Sequence, residues 1–311
     1  MFIMMTSFYG CNKEKRMELY GFAQGTYYRV IYYDKHGINY KPQIDSVLAS
    51  FDKSMSVYDT NSLVSRINHG DTNAKVDKYL ADNMKIAHDV YLLSDGAFDV
   101  TGAPLFDYWG FGVEAVDSAD IAAKLNNVDT LRKLLAVVGF DKVVYDTASG
   151  KIHFTTKGVR LNFNAMAQGY SVGVVSSFLN SKGLNGFLVD IGGEIYAKGT
   201  KPDGSLWEVG IEAPTTNNND ERIIDTVIKI RDKAIVTSGS YRKYFDVAGK
   251  RYSHIIDPRT GMPASSDLES VTVIHDNPAY ADAWATAFMV MGEKEAESIL
   301  SVHHEMTVIF K

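Results

Sequence analysis

Asp282 and Thr286 form the pair whose residue types and spacing are best suited to binding a hard cation. Both lie in the apolar run ADAWATAFMVMG, residues 281 to 292. A spacing of four residues places their carboxylate and hydroxyl on one helix face, and hard cations take such oxygen ligands. The same spacing permits a structural interpretation, in which Thr286 bonds the carbonyl of Asp282 and the Asp282 charge favours a helix N-terminus. Taken alone, the pair favours the structural interpretation.

Five other patches combine glycine with polar side chains. They are GAFDVTGAPLFDYWGFG, NFNAMAQGY, VDIGGE, SGSYRKYF and YSHIIDPRTGMP. In the first, residues 98 to 102 offer a carboxylate and a hydroxyl beside glycine, which suits either a ligand contact or a structural turn. In the second, Asn164 opens a predicted helix whose free N–H groups suit phosphate oxygens, although an ordinary Asn cap is the commoner arrangement.

The glycine pair Gly192 and Gly193 follows a predicted buried strand and is flanked by Asp190 and Glu194. Side-chain packing does not account for two adjacent glycines at this point. The pair does not form a G-x-G-x-x-G fingerprint, and the chain contains no P-loop sequence. This patch therefore lies outside the common nucleotide-binding motifs.

Two patches near the C-terminal third carry hydroxyl, guanidinium and imidazole groups. Ser240, together with Ser238, Tyr241 and Arg242, suits contact with a phosphate or a ribose. His254 has polar neighbours but no histidine partner, and a lone histidine is more often structural than catalytic. The eight histidines show no H-E-x-x-H spacing, so the sequence predicts no zinc site of that type.

The composition is that of a folded protein that does not bind nucleic acid. With 311 residues, of which 45% are hydrophobic, the chain can bury a sizeable core in one large domain or two small ones. The net charge of -6 and the scattered Lys and Arg residues supply no basic surface for a phosphate backbone.

Cys11 is the only cysteine, so the chain forms no intramolecular disulfide and no cysteine-based metal cluster. It follows the apolar segment MFIMMTSFYG and precedes the polar stretch NKEKR. This order resembles the end of a bacterial lipoprotein signal, in which the cysteine is lipidated and the polar stretch is a tether. A frayed or wrongly assigned N-terminus is the alternative, because the apolar segment is short and lacks a leading basic residue. We expect residues 1–17 to be signal remnant and tether, and residues 18–311 to be one domain.

Hydrophobic periodicity predicts an α+β fold. Helices are expected at about 40–52, 78–96, 118–125, 128–138, 164–183, 281–292 and 293–303. Strands are expected within 18–33, with a bend at Gly21 and Gly25, in a hairpin turning at Ser149 and Gly150, in VRLNF, on both sides of Gly192, and in later runs up to MTVIF. Residues 97–112 are expected to be loop and short strand. Because strands come in adjacent groups separated by single helices, the pattern favours mixed or antiparallel sheets packed with helices over a doubly wound parallel sheet.

Taken in order, the patches resemble the ApbE family, the FAD:protein FMN transferases. The matching segments are QGTYYRV, SMSVYDTNSLVSRIN, GAFDVTGAPL with WGFG, NFNAMAQGYSV, DIGGE, SGSYRKYF, YSHIIDPRTGMP and ADAWATAFMVMG. They span residues 24 to 292. Each segment alone is weak, but eight in register are highly specific. The resemblance implies a single domain of T-fold-related α+β architecture.

The resemblance implies a Mg²⁺-dependent transfer of the FMN half of FAD to a Ser or Thr hydroxyl of a partner protein, with release of AMP. It implies Mg²⁺ ligation by Asp282, Thr286 and the backbone carbonyl of Ala165. All-oxygen ligation suits Mg²⁺, which would neutralise charge during displacement at phosphorus. Asp282 thus gains a catalytic role, and His254 is the candidate for base or orienting residue.

For FAD, the resemblance implies contacts with residues on several predicted elements. They are Gln24, Tyr58, Phe98, Asp99, Val100, Asn162, Gln168 and Ile256, and Ser240 joins them through its suitability for phosphate or ribose contact. The chain differs from much of the family at three positions. Asn162 replaces Asp, Gln168 replaces Lys, and Ala285 lies where some members carry a second carboxylate.

The sequence is compatible with three functions. The first is FMN transfer to exported flavoproteins, such as subunits of ion-pumping redox complexes, at the outer side of the cytoplasmic membrane. The second is hydrolysis of FAD to FMN and AMP, in which water replaces the protein hydroxyl. The third is a non-catalytic FAD-binding lipoprotein. For all three, we expect the chain to be lipid-anchored in the cell envelope through Cys11, on the periplasmic side of the inner membrane in a Gram-negative cell.

Overall fold

The computed structural model describes residues 14–112, 119–213, 223–240, 244–247 and 249–311. The strands are β1 Lys15–Ala23, β2 Thr26–Asp34, β3 Val143–Asp146, β4 Lys151–Phe154, β5 Phe187–Ile191, β6 Glu194–Lys198, β7 Trp207–Glu212, β8 Ile224–Ile230, β9 Lys233–Gly239, β10 Tyr244–Val247, β11 Lys250–Ser253, β12 Ser270–His275 and β13 Thr307–Phe310. The helices are α1 Lys41–Met55, α2 Leu63–Asn68, α3 Lys78–Leu93, α4 Ala103–Trp109, α5 Ala119–Leu125, α6 Val128–Leu135, α7 Ala167–Ser181, α8 Pro278–Met291 and α9 Glu293–Leu300.

A seven-stranded sheet organises the fold, in the order β1-β2-β5-β6-β9-β12-β13. Each neighbouring pair in it is antiparallel. Three separate hairpins accompany the sheet: β3–β4, β7–β8 and β10–β11. The predicted α+β class with antiparallel sheets packed with helices is therefore confirmed.

Helices cover one face of the sheet and a hairpin covers part of the other. Strand residues such as Val30 and Val236 pack under α1, α3, α7 and α8. On the opposite face, Ile31 and Ile235 pack against Trp207 of the β7–β8 hairpin. Both faces of the sheet are therefore at least partly covered. The candidate site lies at one end of the sheet, near the first turns of α7 and α8.

Helix α8 is apolar on almost its whole circumference because it is buried between the sheet and other helices. Its side chains pack against α3, α7, β9 and β12, and Phe288 is fully buried. Truncating a buried phenylalanine costs about 3–5 kcal/mol, so this packing holds the helix firmly in place. The apolar run that carries Asp282 and Thr286 is thus a rigid support for two polar side chains.

The first hairpin confirms part of the prediction for residues 18–33 and corrects another part. Gln24 and Gly25 form a two-residue turn with φ values of 54° and 73°, which is the pattern of a type I′ hairpin turn. The predicted bend at Gly21 is wrong, because Gly21 lies inside β1. A Cβ atom there would lie 2.2 Å from Cε1 of Tyr28, so the glycine makes room for a ring rather than for a bend.

Residues 97–112, predicted as loop and short strand, contain helix α4 instead. Pro104 lies in its first turn, and Gly110 ends it in the left-handed region with φ of 80°. Both are helix boundary signals. Leu105 and Trp109 are fully buried four residues apart, so the helix is stabilised by packing although it is short.

Other predicted boundaries shift in the structure. VRLNF is no strand; it contributes a single bridge, between Arg160 and Gly102. The predicted helix at 164–183 begins at Ala167, since residues 164–166 form a turn. The short helix α2 and the β10–β11 hairpin were not predicted.

Strand β1 begins at Lys15, so the folded region starts three residues before the predicted boundary at residue 18. The rest of the predicted tether, with Cys11, lies outside the described residues. Within the described ranges, the structure contains no helix that is long and apolar enough to cross a membrane.

Candidate active site

The Thr286 hydroxyl meets the backbone carbonyl of Ala165 where α8 faces the turn before α7, and Asp282 lies on the same face of α8. The Thr286 hydroxyl lies 3.4 Å from the Ala165 carbonyl oxygen, so the two oxygens face the same small space. Asp282 lies one helical turn before Thr286 and is almost fully buried. The structural interpretation, in which Thr286 bonds the carbonyl of Asp282, is not the contact that the structure shows.

Helix α7 approaches α8 closely because residue 169 is glycine. A Cβ atom at Gly169 would lie 2.4 Å from the carbonyl oxygen of Pro278 and 2.6 Å from Cβ of Asp282. In return, the Gly169 N–H donates a hydrogen bond of 2.9 Å to Oδ2 of Asp282.

The N–H groups predicted to be free for phosphate lie earlier, near Asn164 to Ala167. That prediction is wrong for most of them, because Asn164 donates to Oδ1 of Asn162 and both Met166 and Ala167 donate to the carbonyl of Phe163.

The pKa of Asp282 is raised well above its ordinary value. Burial is the largest cause, the neighbouring Glu194 carboxylate raises the pKa further, and the Gly169 N–H opposes both. Among the described residues, no cationic side chain contributes to this balance. A bound cation would supply the missing positive charge and hold Asp282 ionised.

The donor set fits a small, hard cation. It consists of a carboxylate, a hydroxyl and a carbonyl oxygen, and magnesium accepts such ligands while keeping several waters. No cluster of three His, Cys, Asp or Glu side chains suitable for a metal occurs within the described ranges. The three protein ligands fill only part of a magnesium coordination shell, which leaves positions for the phosphates of a substrate.

Ser238, near the end of β9, faces the cation site more directly than the predicted Ser240. The Ser238 hydroxyl lies 3.4 Å from the Thr286 hydroxyl. The Ser240 hydroxyl is instead directed at backbone, 3.2 Å from the carbonyl oxygen of Leu268. Tyr241 and Arg242, predicted alongside them, lie outside the described residues.

Three predicted FAD-binding positions are linked through the segment before α7. The Asn162 N–H donates to the carbonyl of Val100 at 2.7 Å, and Oδ1 of Asn162 accepts a bond from the Asn164 N–H at 2.9 Å. The Asn164 amide then donates to the hydroxyl of Tyr58 at 3.1 Å. Tyr58 is exposed, so one ring face is available for stacking while its hydroxyl is fixed.

Residues 98–100 face the interior with their side chains. Phe98 and Val100 are buried in the core, so they offer a ligand their backbone rather than their side chains. Asp99 is also buried, and its Oδ1 accepts bonds from the Thr101 N–H at 2.8 Å and the Thr101 hydroxyl at 2.7 Å. Burial raises the pKa of Asp99 to about 6, against the effect of the Thr101 donors.

Gln24 of the first hairpin lies against the first turns of α7, and α7 itself carries Gln168. The Ser171 hydroxyl lies 3.2 Å from Oε1 of Gln24, whereas the buried Nε2 of Gln24 has no hydrogen-bond partner in the described part of the chain. A Cβ atom at Gly192 would lie 2.9 Å from Nε2 of Gln168 and 3.2 Å from Oε2 of Glu194. Polar groups of the first hairpin, α7 and the β5–β6 turn thus converge, and the unsatisfied Gln24 donor suits a ligand oxygen.

His254 and Ile256 follow strand β11 and pack against the region around Trp109 and Phe111. The half-buried His254 ring lies 6.1 Å from the Phe111 ring, edge to face. Ile256 is buried in the cluster that contains Trp109, so only its backbone remains for a ligand. The turn predicted after it is confirmed, with the Gly261 N–H donating to the Asp257 carbonyl at 2.8 Å.

The site contains contacts that the sequence did not indicate. Glu194 acts on Asp282, Ser238 faces Thr286, and Asn164 positions Tyr58. The signal for Glu194 was its place after a glycine pair that side-chain packing does not explain, but this signal named no partner. The assigned roles of the predicted residues stay predictions. The residues that contact the 162–171 segment are Val100, Tyr58, Thr286, Asp282 and Gln24.

Comparison with known proteins gives one consistent result. The model of the ApbE family matches residues 24–310. The FAD:protein FMN transferase of Vibrio cholerae is 34% identical over 297 residues, covering 93% of this chain and 86% of the relative. That of Haemophilus influenzae is 34% identical over 304 residues, covering 94% of this chain and 86% of the relative.

Solved structures agree with the sequence relatives. The flavin transferase ApbE from Vibrio cholerae superposes with a TM-score of 0.83 at 31% identity, covering 96% of this chain and 93% of that one. The apo form of the Pseudomonas stutzeri flavinyl transferase ApbE superposes with a TM-score of 0.81 at 30% identity, covering 96% and 91%. The likeness therefore extends over nearly the whole length of both chains.

Proposed function

This chain belongs to the ApbE family, and we propose that it transfers the FMN moiety of FAD to a hydroxyl group of a target protein. The relatives that share this chain's length carry the name FAD:protein FMN transferase. The observation that carries the proposal is the contact of Thr286 with the Ala165 carbonyl, one helical turn from the buried Asp282, whose pKa is not lowered by any cationic side chain among the described residues. Such an arrangement suits a cation and the phosphates that the cation binds.

We assign Mg²⁺ to the oxygens of Asp282, Thr286 and Ala165. When bound, Mg²⁺ would neutralise negative charge on the pyrophosphate of FAD. Gly169 holds the Asp282 carboxylate in one orientation through its N–H. The Ser238 hydroxyl, beside Thr286, can orient a further oxygen ligand.

The proposed reaction is a displacement at phosphorus. The oxygen of a Ser or Thr side chain of the acceptor forms a bond to the phosphorus of the FMN half. The bond between that phosphorus and the bridging oxygen breaks, and the electron pair leaves with AMP. The hydroxyl proton passes to a base, for which His254 is our candidate because it is the imidazole among the family-like patches.

The remaining predicted contacts serve to place FAD. Tyr58 offers an exposed ring with a fixed hydroxyl, and stacking on a planar ring system is worth about 0.5–1.5 kcal/mol beyond area burial. The backbone of residues 98–100, tied to Asn162, suits hydrogen bonding to the edge of a base. Gln24 and Gln168 contribute neutral amides, so binding here relies on hydrogen bonds rather than on a cationic side chain.

We further propose that the enzyme works at the outer side of the cytoplasmic membrane, anchored through a lipidated Cys11, on acceptor domains of exported redox proteins. The support is the lipoprotein-like sequence around Cys11 and the short stretch of chain that joins Cys11 to the folded region. Cys11 precedes the first described residue, Glu14, by three residues, which span at most about 11 Å.

The test of function is incubation with FAD, Mg²⁺ and a purified domain that carries an acceptor threonine. We expect covalent flavin on the domain, seen by in-gel fluorescence and mass spectrometry, together with AMP in equal amount. An acceptor with valine in place of that threonine should stay unlabelled. AMP without labelled protein would indicate hydrolysis, and unchanged FAD would indicate a binding protein; either result would refute the transfer.

A further inference from the structure

Three large aromatic side chains lie exposed on the hairpin that supplies Gln24. Tyr20, Phe22 and Tyr27 have exposed fractions of 60%, 64% and 78%. They point to the sheet face opposite the buried Leu19 and Tyr28, beyond the part of that face covered by the β7–β8 hairpin. We call these three residues the aromatic patch. Solvated aromatic residues in such a group commonly mark a binding surface.

The aromatic patch is held in one arrangement, although it is exposed. Phe22 and Tyr27 face each other in the β1–β2 register, and their rings meet edge to face at 5.2 Å. The Tyr20 hydroxyl donates to Glu18, and the Arg29 guanidinium lies 6.0 Å from the Tyr20 ring centre. Arg29 also bonds Glu18 at 2.7 Å. A surface that is ordered before binding loses less entropy when a partner binds.

The aromatic patch is continuous with the candidate active site. The pair Phe22 and Tyr27 lies next to the pair Ala23 and Thr26, which closes the turn carrying Gln24. The Gly192 N–H donates to the carbonyl of Tyr27 at 3.1 Å. Gly192 in turn adjoins the amide of Gln168. A macromolecule seated on the patch would therefore also reach the rim of the site.

We propose that the aromatic patch is the docking surface for the acceptor protein. This proposal rests on the proposed function, which requires a protein hydroxyl to enter the site and hence a second protein to cover its rim. Aromatic side chains flanked by a charged pair, Glu18 and Arg29, match the composition of protein-binding hot spots. The occupant that this argument selects is the folded acceptor domain, since only the acceptor must touch both the rim and the site in each turnover.

The test compares two double variants. The first, Phe22→Thr with Tyr27→Thr, removes exposed rings but keeps residues that favour strands. The matched control, Val144→Thr with Val227→Thr, changes two exposed hydrophobic residues on strands β3 and β8, which belong to separate hairpins. With an acceptor domain that the wild-type protein flavinylates, we expect the patch variant to raise KM for the acceptor about 10-fold or more. Its kcat and its affinity for FAD should stay within about twofold of wild type, as should all values of the control.

A second measurement does not depend on the chemistry. The dissociation constant of the complex with the acceptor domain bearing valine in place of its threonine, measured by fluorescence anisotropy, should rise by a similar factor in the patch variant only. If the wild-type protein transfers no flavin but this binding is still lost, the proposed function fails and the docking surface stands.

Equal acceptor KM and dissociation constant in wild type and patch variant would overturn the docking proposal. The proposal would also be overturned if the patch variant changed its oligomeric state, or its binding to anionic phospholipid vesicles, while its binding to the acceptor stayed the same. Those results would assign the patch to a second copy of the chain or to a lipid surface.

Discussion

Asp282 and Asp99 are two buried carboxylates in one molecule, and their surroundings differ in one decisive respect. Burial raises the pKa of both side chains. Asp99 accepts two hydrogen bonds from Thr101, which lies two residues later in the same loop. Asp282 accepts one bond from Gly169 and lies in the field of a second carboxylate, Glu194.

The two surroundings favour different roles for the two side chains. Asp99 is supplied with donors by its own loop, so the fold there is complete without a ligand. Asp282 has a like charge nearby and a single backbone donor, so burial and Glu194 disfavour its ionised form, which a bound cation would favour. Perturbed acids of the second kind are typical of functional sites. If the two carboxylates have different roles, substitutions at and around them should differ in their effects on activity, stability and cation binding.

Asp282→Asn should have the largest effect on activity. The amide can still accept the bond from the Gly169 N–H but carries no charge, so the cation loses its anionic ligand. We expect the transfer rate to fall about 1000-fold, or about 4 kcal/mol. Because a buried carboxylate is removed, the midpoint of urea unfolding should not fall. Full activity in this variant would show that the cation is not bound at this point.

Gly169→Ala should damage the fold and the site together. The new Cβ would meet the backbone carbonyl of Pro278 and Cβ of Asp282, and neither can move without separating α7 from α8. We expect a loss of about 3 kcal/mol in the free energy of unfolding, from urea titration. Gly173→Ala is the matched control on the same helix, because its Cβ would meet only Cγ of Pro278 at 3.5 Å. That control should be neutral or stabilising by up to about 1 kcal/mol.

Asp99→Asn should change the pH dependence of stability and leave the site in place. Because the folded pKa of about 6 lies above the ordinary value of 3.8, the native state holds the proton more tightly than the unfolded chain. The Asp99 contribution therefore destabilises the fold as pH rises, by about 2 kcal/mol between about pH 4.5 and about pH 7. The asparagine variant lacks this loss, so its advantage over wild type in urea unfolding should grow with pH over that range. A constant difference would mean that Asp99 is ionised throughout.

The sequence was a good guide where local spacing decides the structure. The interval between Asp282 and Thr286 predicted one helix face, Ser149 and Gly150 predicted a hairpin turn, and an alternating aromatic pattern predicted the first strands. Each of these depends on residues a few positions apart. Helix α4 was missed because seven residues show little periodicity, and its stability comes from the burial of Leu105 and Trp109 against distant segments.

Contacts between distant segments could not be predicted in this way. In the sheet, β6 pairs with β9, although the β7–β8 hairpin separates the two strands in the sequence. No local sequence pattern predicts that β9 is the neighbour of β6. The same is true of the carboxylate of Glu194, which comes near Asp282 only because the β5–β6 turn packs beside the start of α7. The resemblance to a family supplied Ala165 for the site but did not supply Glu194.

Glu194→Gln tests whether the second carboxylate distinguishes the surroundings of Asp282 from those of Asp99. Removing its charge weakens the negative potential that attracts a cation, and it also lowers the raised pKa of Asp282 towards the ordinary value. We expect the dissociation constant for Mn²⁺, measured on the free protein by electron paramagnetic resonance, to rise about 10-fold, or about 1.4 kcal/mol. Asp190→Asn, at the end of strand β5 that leads into this turn, is the matched control: Asp190 accepts a bond from the Gly193 N–H and is not among the causes of the raised pKa of Asp282. If both variants bind Mn²⁺ equally, the total charge of the turn matters and the position of Glu194 does not.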